Sequence, residues 1–311
     1  MTLSVAFVGA GPAAQPYLAA LGRRPEVKLT AICDADRRAA EQIAAGWQAR
    51  VFPDSQSLLQ ECPPEALWIC VPPQLQENVI AQAIAGRIPF FIEPPGAADF
   101  AQAASFAAAV KANRLVSAVG FTARYADVLK DARDYLGGNP VPIVQGWWLV
   151  QPEDDPAPER LLWLDACRFV DIMRFFCGDA KRVRALRAGP ADAAAAFVLQ
   201  VEFASGSIGV MTCASFARAE PRFELELAGE GWTLTFSEKL ASLRLAERDR
   251  ITILRGLNNP VEAQVEAFLK AVAGQDPGLV VASYPDSLGT LAICHAAAVS
   301  VREARPVDLP E

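Results

Sequence analysis

The chain has 311 residues, of which 52% are hydrophobic and 21% are charged, so it is long and apolar enough to bury cores in two domains. Its formal net charge of −7 argues against a nucleic-acid partner, because binding to a duplex needs a basic surface. Seven cysteines without a C-x-x-C pair, together with a single histidine, His295, predict reduced thiols and no metal site. We expect His295 to be a partly buried helix residue.

The beginning of the chain, MTLSVAFVGAG, carries no basic leader and leads directly into an apolar strand pattern. No uninterrupted apolar run reaches the ~20 residues that a membrane helix needs. These features predict a cytoplasmic protein without a membrane partner.

In the first part of the chain, short apolar runs alternate with helical patterns, which is typical of a doubly wound parallel sheet. The residues around Phe52 form only a link between two helices in this prediction. The predicted strands are 3–8, 27–33, 66–71, 88–93 and 115–121, and the predicted helices are 13–22, 37–47, 55–62, 76–86 and 99–112. This pattern defines a predicted domain over 1–121.

After Phe121 the pattern changes to alternating strands joined by glycine-containing turns, which favours a large, mainly antiparallel open sheet. The predicted strands are 143–150, 197–203, 207–213, 222–228, 232–236 and 241–245, and the predicted helices are 124–136, 163–177, 261–273 and 286–303. The first three of these helices should cover one face of the sheet. The fold class is therefore α/β, with an N-terminal Rossmann domain and a C-terminal α/β domain over 122–311.

The segment Gly9-Ala10-Gly11-Pro12-Ala13-Ala14 has the pattern G-x-G-x-x-A between a strand and a helix, which is typical of dinucleotide binding. The first glycine permits a tight turn, the second lets a pyrophosphate approach the backbone, and the small Ala14 lets helix and strand pack closely. The helix start then offers N–H groups to the phosphates. Pro12 is tolerated in the first turn, where no intrahelical N–H bond is lost.

Asp34 ends the second strand, 20 residues beyond Ala14, where an acidic side chain binds the adenosine ribose. Its charge repels a 2′-phosphate and therefore favours NAD over NADP. Arg37 and Arg38 follow closely and could accommodate that phosphate, so NADP stays open.

Beyond these motifs, the chain resembles the glucose-fructose oxidoreductase/inositol dehydrogenase family (Gfo/Idh/MocA) over nearly its full length. The segments that carry the resemblance are VAFVGAGPAA, AICDADRRAA, ALWICVPPQLQENVIAQAI, FFIEPPGAAD, VGFTARY, NPVEAQVEAFLKAV and SVREARPVDLP. The resemblance implies hydride transfer between a nicotinamide and a small-molecule substrate, commonly a sugar or a cyclitol. It also implies homo-oligomers, dimers or tetramers, formed through the C-terminal sheet.

The resemblance further implies which residues line the nicotinamide side of the site. They are Val71, Pro72, Pro73, Gln76, Glu93 and Pro94. Gln76 stands where many members have histidine.

Two departures from the family pattern concern catalysis. Pro94 or Pro95 occupies the place of the family's lysine, and neither can donate a proton. In the helix over 163–177, alignment on Asp171 puts Arg168 at the position of the family's histidine and Leu164 at that of its first aspartate.

The candidates that remain for catalysis are therefore Arg168, Asp165, Asp171 and Arg124, with Tyr125 nearby in sequence. Arg168 can hold a carboxylate or an oxyanion, but its permanent charge makes it a poor proton shuttle. A salt bridge from Arg168 to Asp165 or Asp171 is an equally valid interpretation.

Aromatic residues Trp147, Trp148 and Trp163 could form a wall for a flat substrate, although core or oligomer packing is the commoner role.

Three hypotheses follow. The first is an NAD(P)-dependent oxidoreductase of the Gfo/Idh/MocA type with non-standard catalytic residues. The second is a catalytically silent NAD(P)-binding sensor. The third is an enzyme similar to the biliverdin reductases, which lack the lysine and use arginine near a planar acidic substrate.

Overall fold

A computed structural model describes residues 2–150, 161–189, 196–215, 221–237 and 240–310. The chain divides into two compact units, the first made of Met1–Thr122 with Asn259–Leu288, and the second of Ala123–Asn258 with Gly289–Glu311. The predicted boundary after residue 121 lies at the end of the first segment. The predicted second domain was continuous, whereas the segment Asn259–Leu288 belongs to the first unit.

The first unit contains a six-stranded parallel sheet in the order β3-β2-β1-β4-β5-β6. Its strands are β1 (Leu3–Val8), β2 (Val27–Cys33), β3 (Arg50–Phe52), β4 (Ala66–Ile69), β5 (Phe90–Ile92) and β6 (Ser117–Val119). The order reverses beside β1, so the carboxyl ends of β1 and β4 flank the switch point where doubly wound sheets bind ligands.

The helices of this unit are α1 (Gln15–Leu21), α2 (Arg37–Trp47), α3 (Ser55–Glu61), α4 (Pro73–Ala85), α5 (Phe100–Ala112) and α8 (Pro260–Val272). A 3₁₀ turn, Pro12–Ala14, precedes α1. Trp68 lies at the centre of the core, fully buried and stacked on Phe7 and Phe91. Phe268 of α8 meets Trp68 edge to face, which is why α8 packs with this unit.

The second unit is built on a nine-stranded sheet in the order β14-β13-β12-β11-β7-β10-β9-β8-β15. Its strands are β7 (Ile143–Leu149), β8 (Ala180–Ala188), β9 (Ala196–Phe203), β10 (Ile208–Ala214), β11 (Arg222–Gly229), β12 (Trp232–Ser237), β13 (Ser242–Glu247), β14 (Arg250–Arg255) and β15 (Val307–Asp308). The pair β7 and β10 is parallel and the other pairs are antiparallel. The predicted fold class, a Rossmann domain followed by a mainly antiparallel sheet, is confirmed.

The helices of the second unit are α6 (Asp127–Leu136) and α7 (Ala166–Cys177), and the last helix, α9 (Tyr284–Glu303), begins in the first unit and ends in the second. A π-helical turn, Leu161–Asp165, leads into α7. In the part of the chain that the structure describes, no helix is long and apolar enough to cross a membrane.

The structure contains four strands that the sequence reading did not predict, namely β3, β8, β14 and β15. β8, AKRVRALRA, carries four basic residues, and β14, RITILR, is a short apolar run with an arginine at each end, so neither resembles a core strand in sequence. The helix predicted over 261–273 is α8, and it packs with the first unit instead of covering the second sheet.

Candidate functional site

The glycine loop after β1 is held against the backbone at the end of β4. Gly9 has a φ of +106°, and a Cβ built there would lie 2.3 Å from the carbonyl oxygen of Cys70. Both the φ and this contact exclude a side chain. Gly9 is therefore required by the protein's own packing.

Gly11 differs from Gly9 in both respects. Its φ is −71°, which any residue adopts, and a Cβ built on it would meet no atom within 4 Å. Its N–H has no hydrogen-bond partner among the described residues. The backbone at Gly11 thus faces open space with a free donor, as a site for a pyrophosphate requires.

Asp34 joins the end of β2 to the glycine loop. Its Oδ2 accepts a hydrogen bond of 2.6 Å from the Ala10 N–H, and its Oδ1 accepts one of 2.7 Å from the Asp36 N–H. A carboxylate oxygen has two lone-pair sites, so each oxygen keeps one for a ribose hydroxyl. Asp34 therefore lies where the fingerprint predicts, and it also fixes the loop.

Arg38 lies in the first turn of α2, and its side chain is exposed. Asp36 caps this helix by accepting from the N–H groups of Arg38 and Ala39, while Arg37 pairs with Glu41 on the same helix. The Arg38 side chain is therefore exposed and lies four residues beyond Asp34 in the sequence.

Residues 12–14 form the 3₁₀ turn that leads into α1, in place of the α-helical start predicted at residue 13. Pro16 lacks the N–H that would bond the Pro12 carbonyl in a regular α-helix, and this carbonyl accepts from the Gln15 N–H instead, which is a 3₁₀ bond. Ala14 is fully buried, as the close packing of helix and strand requires.

Gln76, in the first turn of α4, connects the ends of β4 and β5. Its Nε2 donates to the carbonyl oxygens of Val71 and Glu93, both at 3.1 Å. The side chain is fully buried, and its Oε1 has no hydrogen-bond partner among the described residues. A buried acceptor without a donor is costly, so Gln76 carries an unmet hydrogen-bonding group at this strand end.

Glu93 receives a hydrogen bond from the hydroxyl of Tyr17, a buried residue of α1. The sequence reading missed Tyr17. The only available signal was a hydroxyl-bearing aromatic residue on the buried face of the helix that follows the glycine loop. Gly120, at the end of β6, leaves room for this pair, since a Cβ there would lie 2.9 Å from the Tyr17 hydroxyl and 3.0 Å from Glu93 Oε1.

In the chain between β5 and α5, Glu93 is followed by Pro94, Pro95 and Gly96. The peptide bond between the two prolines is cis, and the carbonyl of Gly96 accepts a hydrogen bond of 2.7 Å from the Tyr284 hydroxyl. Neither proline offers an N–H donor at this strand end, where the resemblance implies a lysine.

Two thiols beside the site are held in the neutral form. Burial, with the charges of Asp34 and Asp54, raises the pKa of Cys33 from 9.0 to about 12. Burial, with the charge of Glu93, also raises the pKa of Cys70. Since the thiolate is the reactive form of cysteine, both residues fill space and do not act as nucleophiles.

In the second unit, two of the predicted catalytic residues bind each other. Arg124 donates to both carboxylate oxygens of Asp171, at 2.7 and 2.6 Å, and Thr290 of α9 donates to Oδ1 at 2.9 Å. The exposed fraction is 8% for Arg124 and 0% for Asp171. This geometry favours a structural role for the pair over the predicted catalytic one.

Arg168 lies half-buried on α7, one turn before Asp171. Asp165 falls in the π-helical turn, and its side chain is outside the described residues, as is the acidic stretch 151–159. The single histidine, His295, is exposed on α9, not partly buried.

Trp147 and Trp148 lie on opposite faces of the nine-stranded sheet, because successive residues of a strand alternate. Trp147 is exposed on the outer face, whereas Trp148 packs against Phe169 of α7 and Phe223 of β11. The two rings therefore do not form one wall. Within the described ranges, no group of three His, Cys, Asp or Glu side chains could hold a metal ion.

Residues 3–121 match the sequence model of the Gfo/Idh/MocA family, which is described as an oxidoreductase family with an NAD-binding Rossmann fold. The resemblance to this family that the sequence predicted is confirmed over this part of the chain. No curated protein sequence matches the chain.

Solved structures resemble the whole chain. UDP-N-acetylglucosamine 3-dehydrogenase from Acidithiobacillus ferrooxidans is 20% identical, with 97% of this chain and 99% of that chain covered and a TM-score of 0.84. An oxidoreductase from Agrobacterium radiobacter in complex with NAD⁺, L-tartaric acid and magnesium is 16% identical, with 99% and 98% covered and a TM-score of 0.85. A levoglucosan dehydrogenase in complex with NADH and levoglucosan is 18% identical, with 100% of both chains covered and a TM-score of 0.88. At these identities the likeness shows the fold alone.

Proposed function

We propose that the chain is an NAD-dependent oxidoreductase of the Gfo/Idh/MocA family that acts on a small polyhydroxy molecule, such as a sugar or a cyclitol. The observation that carries this proposal is the contrast between the two glycines of the loop. Gly9 is required by contacts inside the protein, but nothing in the protein requires a glycine at residue 11. A bound dinucleotide would explain the glycine at residue 11, because its pyrophosphate has to approach the backbone closely.

The residues present fit such a cofactor. The open backbone at Gly11 would receive the pyrophosphate, Asp34 the adenosine ribose, and the end of β4 with Val71, Pro72 and Pro73 the nicotinamide side. The unpartnered Oε1 of Gln76 offers a buried acceptor at the same edge of the sheet. The negative charge of Asp34 favours NAD over NADP, because a 2′-phosphate would meet a carboxylate.

When bound, the nicotinamide supplies the hydride chemistry, and the protein has to bind, orient and exchange a proton with the substrate. Gln76 holds the ends of β4 and β5 together, and Tyr17 fixes the carboxylate of Glu93. Arg168 remains the candidate for holding a developing oxyanion or a substrate carboxylate. The buried ion pair of Arg124 and Asp171 stabilises the middle of α7.

The proposal predicts turnover. The purified protein would be incubated with NAD or NADP and UDP-N-acetylglucosamine, levoglucosan, inositols and tartrate, and in the reverse direction with NADH and keto-sugars. NADH formation or consumption on at least one substrate supports it. Binding of NAD without turnover on any of them would contradict the enzymatic part and leave the cofactor part standing.

The alternative function is a catalytically silent sensor, which would bind NAD without turning over any substrate. Two observations favour it: prolines occupy the place of the family's lysine, and Asp171 is closed into a buried ion pair. It predicts that NAD raises the melting temperature and changes either the oligomeric state or the affinity for a protein partner.

We also propose that copies of the chain associate through the nine-stranded sheet. The outer face of this sheet carries exposed large apolar side chains on four neighbouring strands. These are Leu186, Val198, Ile208, Ile143 and Trp147. An apolar area of this kind is typical of an association surface.

A further inference from the structure

Tyr284 is a buried tyrosine of the first unit whose hydroxyl binds the turn that follows β5. It is the first residue of α9, its exposed fraction is 1%, and its hydroxyl donates to the Gly96 carbonyl at 2.7 Å. This bond joins residues 188 positions apart. Burial raises the pKa of the Tyr284 hydroxyl, so the hydroxyl keeps its proton and remains a donor at neutral pH.

The ring of Tyr284 packs against the same strand and the same turn. It meets Phe90 of β5 edge to face, with the ring centroids 5.7 Å apart. Gly96 has a φ of +86°, and a Cβ built there would lie 3.0 Å from Cε2 of the Tyr284 ring. The glycine therefore lets the aromatic ring lie directly against the backbone of the turn. Tyr284 thus fixes the path of the chain after it leaves β5.

The turn after β5 is held at both ends by side chains from two different helices. Its two prolines have no N–H group, so this part of the chain can form backbone hydrogen bonds only through its carbonyl groups. Gln76 of α4 donates to the Glu93 carbonyl at 3.1 Å, at the beginning of the turn. Tyr284 of α9 donates to the Gly96 carbonyl at the other end.

This turn lies on the side of the switch point where the nicotinamide half of a dinucleotide would bind. The order of the parallel sheet is β3-β2-β1-β4-β5-β6. In the proposed site the adenosine ribose binds to Asp34 after β2, and the pyrophosphate binds at Gly11 after β1. A dinucleotide that continues in this direction reaches the carboxyl ends of β4 and β5 with its nicotinamide half.

We propose that Tyr284 is a positioning residue for the nicotinamide half of the cofactor site, and that it acts through the carbonyl of Gly96. This inference rests on the proposed binding of NAD. It adds to the cofactor site a side chain that lies outside the glycine loop and outside the strand ends. Tyr284 holds the turn after Glu93 in one position, so that the nicotinamide meets a site that is already formed.

The alternative explanation is a purely structural role, because a buried carbonyl without a donor destabilises a fold. If the bond only stabilises the fold, its removal lowers the melting temperature but leaves the affinity of the folded protein for NAD unchanged. If the bond positions the turn, its removal weakens the binding of NAD but not that of adenosine diphosphate ribose, which lacks the nicotinamide ring. The two ligands therefore separate the two roles.

The test compares the full-length variant Y284F with the wild type by calorimetric titration of NAD and, separately, of adenosine diphosphate ribose. Y284F keeps the aromatic ring and removes the hydroxyl. Its dissociation constant for NAD should rise about fivefold, as expected for the loss of one hydrogen bond, while that for adenosine diphosphate ribose should stay within about twofold of the wild-type value. Equal changes in both constants, or no change in either, would overturn the positioning role.

The matched control is S287A. Ser287 is also buried in the first turn of α9, and its hydroxyl donates to the Tyr284 carbonyl at 2.7 Å, not to the turn after β5. This variant loses a hydrogen bond of the same length in the same region, and both dissociation constants should stay within about twofold of the wild-type values. If S287A weakens NAD binding as much as Y284F does, the start of α9 has only a structural role.

A second variant, G96A, decides the question if Y284F does not fold. Its Cβ pushes the turn away from the Tyr284 ring, so it should cause the same selective loss of affinity for NAD. If the wild type binds neither NAD nor adenosine diphosphate ribose, the proposed function fails and this inference fails with it. If the wild type binds NAD and both Y284F and G96A bind it equally well, only the inference about Tyr284 is wrong.

Discussion

The glycine loop of the first unit and helix α7 of the second unit differ in how their polar groups are used. In the loop, Asp34 is held by two backbone N–H groups and keeps lone pairs for a ligand, and the backbone at Gly11 is open. On α7, Asp171 is fully buried and is bonded to Arg124 and Thr290. The glycine loop therefore keeps polar groups that can bind a ligand. In α7, by contrast, the carboxylate of Asp171 stabilises the fold of the second unit.

This difference shows why a match to a family's motif positions is a weaker guide than the contacts of each residue. The resemblance predicted Asp171 as a catalytic candidate, yet its carboxylate is fully buried and bonded to Arg124 and Thr290. The resemblance placed Gln76 where many members have histidine, and its buried Oε1 has no partner among the described residues.

The largest expected effect comes from breaking the buried pair. The variant D171N leaves the guanidinium of Arg124 buried without its counter-charge, and we expect a loss of about 3–5 kcal/mol in the free energy of unfolding of the second unit. Urea denaturation followed by circular dichroism measures this loss.

The matched control is the double variant R124M/D171L, which replaces both charges by apolar groups of similar size and should lose less stability than D171N alone. If D171N unfolds like the wild type but abolishes turnover, Asp171 is catalytic and the comparison between the two regions is wrong.

A smaller effect is expected at Gly9. The variant G9A forces a Cβ to within 2.3 Å of the Cys70 carbonyl oxygen at a positive φ. The loop must shift, at a cost of about 1–3 kcal/mol in the stability of the first unit, and NAD binding should be lost with it. Thermal unfolding with and without NAD checks both effects. If G9A unfolds at the wild-type temperature and binds NAD as the wild type does, the close contact between residue 9 and the Cys70 carbonyl is wrong.

The smallest effect is a dependence on alkaline pH. Because the folded-state pKa of Cys33 is raised to about 12, its contribution to stability is complete below pH 9 and is lost as the pH rises toward 12. Each pH unit in this window costs up to about 1.4 kcal/mol for one thiol. The variant C33S removes this titration, so its unfolding free energy should fall less steeply than that of the wild type between pH 9 and 11. Equal slopes would show that Cys33 does not titrate differently in the folded state.

Much of the first unit could be predicted from the sequence because its signals are local. The strand and helix periodicities, the glycine spacing and the position of Asp34 at a strand end are all properties of neighbouring residues. The structure places Gly9, Gly11 and Asp34 at the carboxyl ends of the parallel strands, as those signals predict. Gln76, which only the family resemblance predicted, lies at the same ends of the strands.

The features that were missed depend on partners distant in sequence. The bond between Tyr17 and Glu93 joins residues 76 positions apart, and Asp171 and Thr290 are 119 positions apart. The assignment of α8 to the first unit likewise depends on Phe268 reaching Trp68. The edge strand β14 has a local signal, the run Ile251-Thr252-Ile253, but it was missed because arginines bound so short a run.

The central claim is that the open backbone at Gly11 is a cofactor site, and calorimetric titration of NAD into the wild type and the variant G11V tests it most directly. Because a side chain at residue 11 meets no protein atom, G11V should unfold within about 0.5 kcal/mol of the wild type, while its affinity for NAD falls at least tenfold. Equal affinity of the two proteins for NAD, or no binding to the wild type at NAD concentrations up to about 10 mM, would contradict the account.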